Sequence, residues 1–380
     1  MELPRFLLDE WLEQKHDAAT PVDYDLGSST GPVWTLRELL SLGGDLEELL
    51  DAPISYVSPR GMPALREAIA SLEGCDPEHV QATTGGAEAL LLIFSDVAAP
   101  GANVVLPRPG FPANDAMAQA FGLEARHYVL RRENGFRIDA EEIRGLIDAN
   151  TRLVLVNSPH NPTGATLSDS DMEGLHDFCA ERGVQFLSDQ VYHPIYHEGS
   201  MRTAARLPHA TVLGDFSKAL CLSGTRIGWI VEPDAERRKR YLNARSYFTV
   251  CGSAMAERLG ALALRQREAI YARARKVASE NLARLAGFFA DRRDLFHYAS
   301  PRGGMTAFPS MADGSDARPL CAHALRQRIL LAPGDCFGMP AHFRIGFAAS
   351  GERFAAALER LGPAVDEFAR SVAAHTAAAD

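Results

Sequence analysis

Lysine is nearly absent from this chain of 380 residues: of its 39 Lys and Arg residues only Lys15, Lys218, Lys239 and Lys276 are lysine. Arginine therefore carries the surface charge, and a lysine beside apolar strand residues needs a reason of its own. Paired cysteine is missing too. The six cysteines (Cys75, Cys179, Cys221, Cys251, Cys321, Cys336) show no Cys-x-x-Cys spacing, which argues against a zinc ribbon or a disulfide framework and predicts reduced, mostly buried thiols with no metal site. Positive charge is in deficit: a net charge of −10 argues against a nucleic-acid partner, because phosphate binding wants a basic surface. Long apolar runs are also lacking. Leu90 to Phe94 is broken by Ser95-Asp96 and then Pro100-Gly101, short of the roughly 20 apolar residues a bilayer span needs. The segment from Met1 to Glu10 carries acid where an export signal needs a basic end. A cytoplasmic protein without membrane or nucleic-acid partners is expected.

With 46% hydrophobic residues, the chain can fill one large core and a smaller second one. Strand and helix patterns alternate through its middle, as in a mainly parallel sheet covered on both faces. Asn103 to Leu106 reads as a strand, Asp115 to Phe121 as a helix and Arg152 to Val156 as a strand. Ser168, with Asp171 three residues on, reads as a helix cap. Met172, Leu175, Phe178 and Cys179 follow at helical spacing, and Gly183 ends that helix before a strand from Val184 to Leu187. Thr211-Val212-Leu213 repeats the strand pattern. Ligands of such sheets bind beyond the carboxyl ends of the strands, and three successive ends bring Asn161, Asp189 and Lys218 to one rim. A long helix from Arg267 to Arg292, with Ile270, Val277, Leu282 and Leu285 near one face, leads into a second α/β pattern ending near Val365. The Ala-rich tail, Ala373 to Asp380, reads as frayed.

Several strand-end turns hold polar residues with two readings each. Lys218 is either a strand-end lysine reaching solvent or an amine for Schiff-base chemistry, which arginine cannot replace because guanidinium stays charged. Asp189 and Tyr192 either cap and pack a loop or hold a cofactor, the carboxylate keeping a ring nitrogen protonated. Asn161, in Ser158-Pro159-His160-Asn161-Pro162-Thr163-Gly164, sits in a rigid turn that does not itself require an amide, and that amide can donate to a ring oxygen. His160 reads as a loop residue. Gly85-Gly86-Ala87 opens a helix whose free N–H groups suit a phosphate, and Arg226 can complete such a site. Phe111 is either core or a ring stacked on a planar cofactor.

The order Gly85-Gly86-Ala87, Phe111, Asn161-Pro162-x-Gly164, Asp189-x-x-Tyr192, Ser217-Lys218 and Arg226-x-Gly228 resembles the class I/II aminotransferases, fold-type I enzymes of pyridoxal 5'-phosphate. The likeness runs from Tyr56 to Arg344. It implies a large domain with a mainly parallel seven-stranded sheet between helices, plus a smaller α/β domain. The corresponding division is an N-terminal arm with part of the small domain (1–48), a cofactor-binding domain (49–270), a connecting helix (271–292) and a C-terminal small domain (293–380).

The resemblance implies that Lys218 holds the cofactor as an internal aldimine and later moves the α-proton. Asp189 would pair with the pyridine nitrogen, while Asn161 and Tyr192 would donate to the ring oxygen. Gly85, Gly86, Ala87, Ser217 and Arg226 would hold the phosphate, with Phe111 against the ring. Arg344 would fork the substrate carboxylate, with Asn161 and Ser28 as further substrate contacts. Tyr56 would reach the phosphate of a neighbouring subunit, which implies a homodimer with shared active sites. The reaction would pass through an external aldimine and an α-carbanion, with transfer of the amino group to a 2-oxo acid placed first.

Two departures stand out. Asp215 occupies a position where many members carry a phosphate-binding serine, and a carboxylate there repels a phosphate dianion unless it is turned away or paired. The loop Asp25 to Gly31, with Arg132 to Phe136, Pro159 to Pro162 and Arg302 to Phe308, resembles the capreomycidine-synthase branch, whose members eliminate a β-hydroxyl from a hydroxyarginine and close a ring. A cationic side chain would want an acid, and Asp9, Asp23 and Asp25 are the candidates.

Overall fold

The computed structural model describes residues 3–17, 21–44, 46–349 and 351–379. Met1 and Glu2, at the head of the segment read for export, lie outside the described residues, as does Asp380. At the centre stands a seven-stranded sheet. From edge to edge its strands run Val80–Thr83, Gly228–Val231, Ala210–Asp215, Gln185–Asp189, Thr151–Asn157, Asn103–Arg108 and Glu124–Val129. All neighbours pair in parallel except Gly228–Val231, which is antiparallel to both of its partners.

Side chains alternate across a strand, and here both faces are apolar. Val105, Val154, Phe186 and Val212 point to one core, where Met172, Leu175 and Cys179 of the helix Asp169–Glu181 cover them. Val104, Leu153, Leu155, Leu187 and Leu213 point to the other, beneath Ala89, Leu92 and Ile93 of the helix Gly85–Val97. Burial on both faces is why these strands read as continuous apolar runs. Ser168 caps its helix as expected, accepting the Asp171 N–H at 3.1 Å.

The long helix is Arg267–Ala290. Its buried stripe includes Ile270, Ala274, Ala278, Asn281 and Leu285, while Val277 and Leu282 are only partly buried, so small residues rather than the expected branched ones meet the core. Beyond it, Thr306–Ala307, Phe343–Gly346 and Ala332–Pro333 form an antiparallel sheet. The last helix, Phe354–Ala379, takes in the Ala-rich tail; alanine is the best helix former, so the run extends the helix where fraying was expected. The N-terminal segment is sewn to this region. Tyr24–Asp25 pairs in parallel with Ile329–Leu330, and Trp11 Nε1 donates to the Leu331 carbonyl at 2.6 Å. Among the described residues no helix is long and apolar enough to cross a membrane.

Candidate active site

A cavity of about 480 Å³ opens at the carboxyl ends of the central strands. Strand ends and the turns after them supply its chemistry: Asn161 follows Thr151–Asn157, Asp189 ends Gln185–Asp189, and Lys218 lies in the turn after Ala210–Asp215. The helix Gly85–Val97 aims its N-terminus into the same space through Gly86 and Ala87. The rim expected from the sequence is therefore one continuous wall.

Lys218 donates from Nζ to Ser29 Oγ at 2.9 Å. Burial lowers its ammonium to about 8, against the pull of Asp215, so a usable fraction of neutral amine exists near neutral pH. Asp189 is buried, with the Val191 N–H on Oδ1 at 3.2 Å. Burial raises its carboxyl to about 7, and Asp215 adds to the rise. A carboxyl so placed lacks a full counter-charge, and a cationic ring nitrogen would supply one.

The glycine pair builds the anion cradle. Gly85 has φ +75°, and a Cβ there would collide with the Arg226 guanidinium. Arg226 itself sits at φ 52°, an uncommon conformation for a side-chain-bearing residue. Its Nη1 donates to Ser217 Oγ at 3.2 Å and to the Ser223 carbonyl at 3.1 Å. A helix N-terminus, a guanidinium and hydroxyls make a phosphate site, so the residues present fit a phosphorylated, amine-reactive cofactor with a basic ring nitrogen, although the Gly86 N–H is donated to Asp215 Oδ2 at 2.6 Å.

The remaining expected residues divide. Phe111 and Tyr192 line the cavity, and the Phe6 ring meets Phe111 edge-on, with centroids 5.9 Å apart. The Tyr192 hydroxyl donates to the Ser29 carbonyl at 3.0 Å. Arg344 is fully buried behind the cavity, donating to Asn161 Oδ1 at 3.1 Å and to the Gly27 carbonyl at 2.6 Å, with Nε unpartnered. Tyr56 stands outside the cavity, 87% exposed. His160 is buried beside Thr163, and burial lowers its imidazole to about 3, so it stays neutral.

Ser28 lies one step back from the cavity, with Lys15 Nζ 3.5 Å from its hydroxyl. Its hydroxyl donates to Asp25 Oδ2; of the same run Thr30 lines the cavity, and Ser29 accepts from Lys218. The hydroxyl run Ser28-Ser29-Thr30 carried the signal, but a loop without periodicity does not say which member turns inward. Of the three acids, Asp9 alone lines the cavity, with Lys15. Asp23 is taken by Arg328 and Arg360, each at 2.6 Å, and Asp25 caps its own loop at the Gly27 and Ser28 N–H groups.

A buried lysine, a buried carboxyl and a phosphate cradle at the strand ends of this sheet define a fold-type I pyridoxal-phosphate enzyme. The chain belongs to the aminotransferase class I and II family, whose model matches residues 53–361. It is 32% identical to capreomycidine synthase of Streptomyces vinaceus over 91% of this chain and 90% of that one. A pyridoxal-phosphate-dependent aminotransferase structure from Streptococcus suis superposes with a TM-score of 0.88 at 27% identity, over 97% of this chain and 99% of that one. The pyridoxal-phosphate-dependent cyclase OrfR superposes equally well, with a TM-score of 0.88 at 26% identity over 97% and 98% of the two chains.

Proposed function

We propose that the chain is an aminotransferase that binds pyridoxal phosphate through Lys218 and moves the amino group of an amino acid to a 2-oxo acid. The observation that carries this is the buried Lys218 amine, lowered to about 8 and facing the same cavity as Asp189 and the Gly86–Arg226 cradle. The cofactor, when bound, supplies an electron sink for the bond broken at the substrate α-carbon. Asp189 would hold a negative charge at the ring nitrogen, Arg226 and the amides at the start of the helix Gly85–Val97 would hold the phosphate, and Lys218 Nζ would be the base for the α-proton. Arg344, with Asn161 on its Nη1, is the carboxylate-binding guanidinium. Tyr56 reaches a second copy in a cytoplasmic homodimer, and the chain divides into an N-terminal arm with part of the small domain (1–48), a cofactor-binding domain (49–270), a connecting helix (271–292) and a C-terminal small domain (293–380).

A second reading is favoured by Asp9, which brings a carboxylate to the cavity wall, together with the likeness to a capreomycidine synthase and a cyclase. There the substrate is a hydroxylated guanidino amino acid, and the enzyme eliminates the hydroxyl and closes a ring. Incubating the loaded enzyme with arginine, hydroxyarginines and common amino acids, with and without 2-oxoglutarate or pyruvate, separates the two by product mass. Release of a 2-oxo acid from the donor supports aminotransfer. Loss of water from a hydroxyarginine without any oxo-acid acceptor overturns it in favour of the cyclase.

A further inference from the structure

The loop from Asp25 to Gly31, which departs from the pattern of ordinary relatives, is where Lys218 Nζ finds its hydrogen-bond partner. Ser29 Oγ accepts from it at 2.9 Å. Ser29 is buried, and contacts on both sides of it fix where its hydroxyl lies. Asp25 Oδ1 accepts the Gly27 N–H at 3.0 Å and the Ser28 N–H at 2.9 Å. The Leu26 carbonyl accepts the Gly346 N–H at 2.7 Å, and the Gly27 carbonyl accepts from Arg344 Nη2 at 2.6 Å. The Ser29 carbonyl itself accepts the Tyr192 hydroxyl. Two glycines let the loop sit this close. A Cβ at Gly346 would collide with the Ser28 carbonyl, and one at Gly31 would collide with Cys221 Sγ. Cys221 in turn donates its N–H to the Lys218 carbonyl at 3.0 Å, so the loop is held in register with the turn that carries the lysine.

Charged groups also surround the amine: Asp215 and Asp189 favour its ammonium form, while Arg344 and Arg226 oppose it. Those charges set how readily Nζ holds a proton, but they do not aim a lone pair at the end of a flexible four-carbon stem. A directional contact does. We propose that Ser29 is the positioning residue for Lys218: its hydroxyl holds one N–H of the unbound amine, turns the nitrogen lone pair to the cavity, and keeps hold as Nζ takes up the substrate α-proton. This rests on the reading of Lys218 as the base but not on the reaction type, since aminotransfer and elimination both begin with that proton. The proton passes from the α-carbon to the Nζ lone pair, the C–H electrons pass to the cofactor's electron sink, and Ser29 neither gains nor loses a proton. An N–H on a nitrogen gaining positive charge is the stronger donor. The contact therefore tightens as the proton arrives and favours the transition state over the bound substrate.

The scarcity of lysine supplies the readout. Protein grown on lysine labelled with carbon-13 at the ε-carbon should show separate ε-methylene signals for Lys15, Lys218, Lys239 and Lys276, with Lys218→Arg identifying its own. In the cofactor-free wild type the two Lys218 ε-protons should be inequivalent, because the amine is held. They should merge in Ser29→Ala and in Ser29→Cys, whose thiol is a poor acceptor of nearly the same size, and stay apart in Ser29→Thr. The cysteine variant provides the check should the alanine protein fold poorly. Lys15 Nζ stands 3.5 Å from both Ser28 Oγ and Asp25 Oδ2, so its signal reports damage to the loop and should be the same in all of these proteins. In the loaded enzymes, kcat for exchange of the α-proton with deuterated solvent should fall about tenfold or more in the alanine and cysteine variants and recover in the threonine variant, with KM within about twofold of wild type. Merged Lys218 ε-protons in wild type, separate ones without the hydroxyl, wild-type kcat in the alanine and cysteine variants, an equal loss in the threonine variant, or a Lys15 signal that moves with the loss overturns the proposal. A reducible link to pyridoxal phosphate in Lys218→Arg instead overturns the reading of Lys218 as the reactive amine, and with it this inference, whatever the spectra of the cofactor-free protein show.

Discussion

Asp189 sets the electrostatic balance of the site, and its behaviour should differ between the free and loaded protein. In the free protein its carboxyl is raised from 3.8 to about 7, so the folded state favours the protonated form. That stability is fully present below the unfolded value and is lost as pH rises through about 7, at most about 4 kcal/mol for a shift of this size. Asp189→Asn should abolish this part of the pH profile, so denaturant melts of the two cofactor-free proteins should diverge progressively above about pH 4. In the loaded protein the same substitution should leave the cofactor bound but slow exchange of the substrate α-proton with deuterated solvent by about a hundredfold or more, because the lost charge acts on the carbanionic transition state. Exchange at the wild-type rate would reduce Asp189 to a structural residue. Asp189, Lys218, Asn161 and Arg226 could be brought together from the sequence because Asp189 ends a strand, Asn161 and Lys218 sit in turns after strands, and Arg226 lies in the turn just before Gly228–Val231, each in a segment with its own signature. Ser29 and Asp9 were not resolved in advance, since they meet the lysine and the cavity across the whole fold and no local pattern records a contact 189 residues away.

At the scale of elements, the strands were the most readable part, because burial on both faces leaves runs such as Leu153-Val154-Leu155-Val156 with no polar interruption. The stripe of the helix Arg267–Ala290 was less so: alanines and Asn281 meet the core, and Asn281 Nδ2 donates to the Phe347 carbonyl at 2.9 Å. Hydropathy cannot anticipate a polar side chain that finds a buried carbonyl. The helix Gly85–Val97 makes the sharpest element-level prediction. Its first residue needs a left-handed backbone and no side chain, so Gly85→Ala should strain the turn by about 1 kcal/mol and push Arg226 off the cradle. Titration of the cofactor-free variant should show pyridoxal phosphate bound at least about tenfold more weakly, while pyridoxal is affected much less. Equal weakening of both ligands would show general damage to the site instead.

At the scale of the whole molecule, several large apolar side chains stand exposed among the described residues. Ile54 is 90% exposed, Tyr56 87% and Tyr247 82%, more than isolated surface residues require, and the family resemblance assigns Tyr56 to a neighbour's phosphate. Sedimentation should therefore give a species of twice 41.3 kDa, and Tyr56→Ala should weaken cofactor retention without destabilising the chain itself. A monomer that retains cofactor as well as wild type would refute the shared site. The fold class and the position of the site were readable because they follow from strand order and strand-end motifs; the route of the N-terminal arm was not, because its course is fixed by single contacts such as that of Trp11 with Leu331. That arm carries a lasting consequence. Phe6, Asp9, Lys15, Ser29 and Thr30 all come from the first thirty residues or so, whereas the cofactor contacts come from strands far downstream. The side chains this arm sends to the cavity and those the strand ends supply are thus written in separate stretches of the gene, so the lining of the pocket can be varied at the opening of the chain while the strand ends are left untouched.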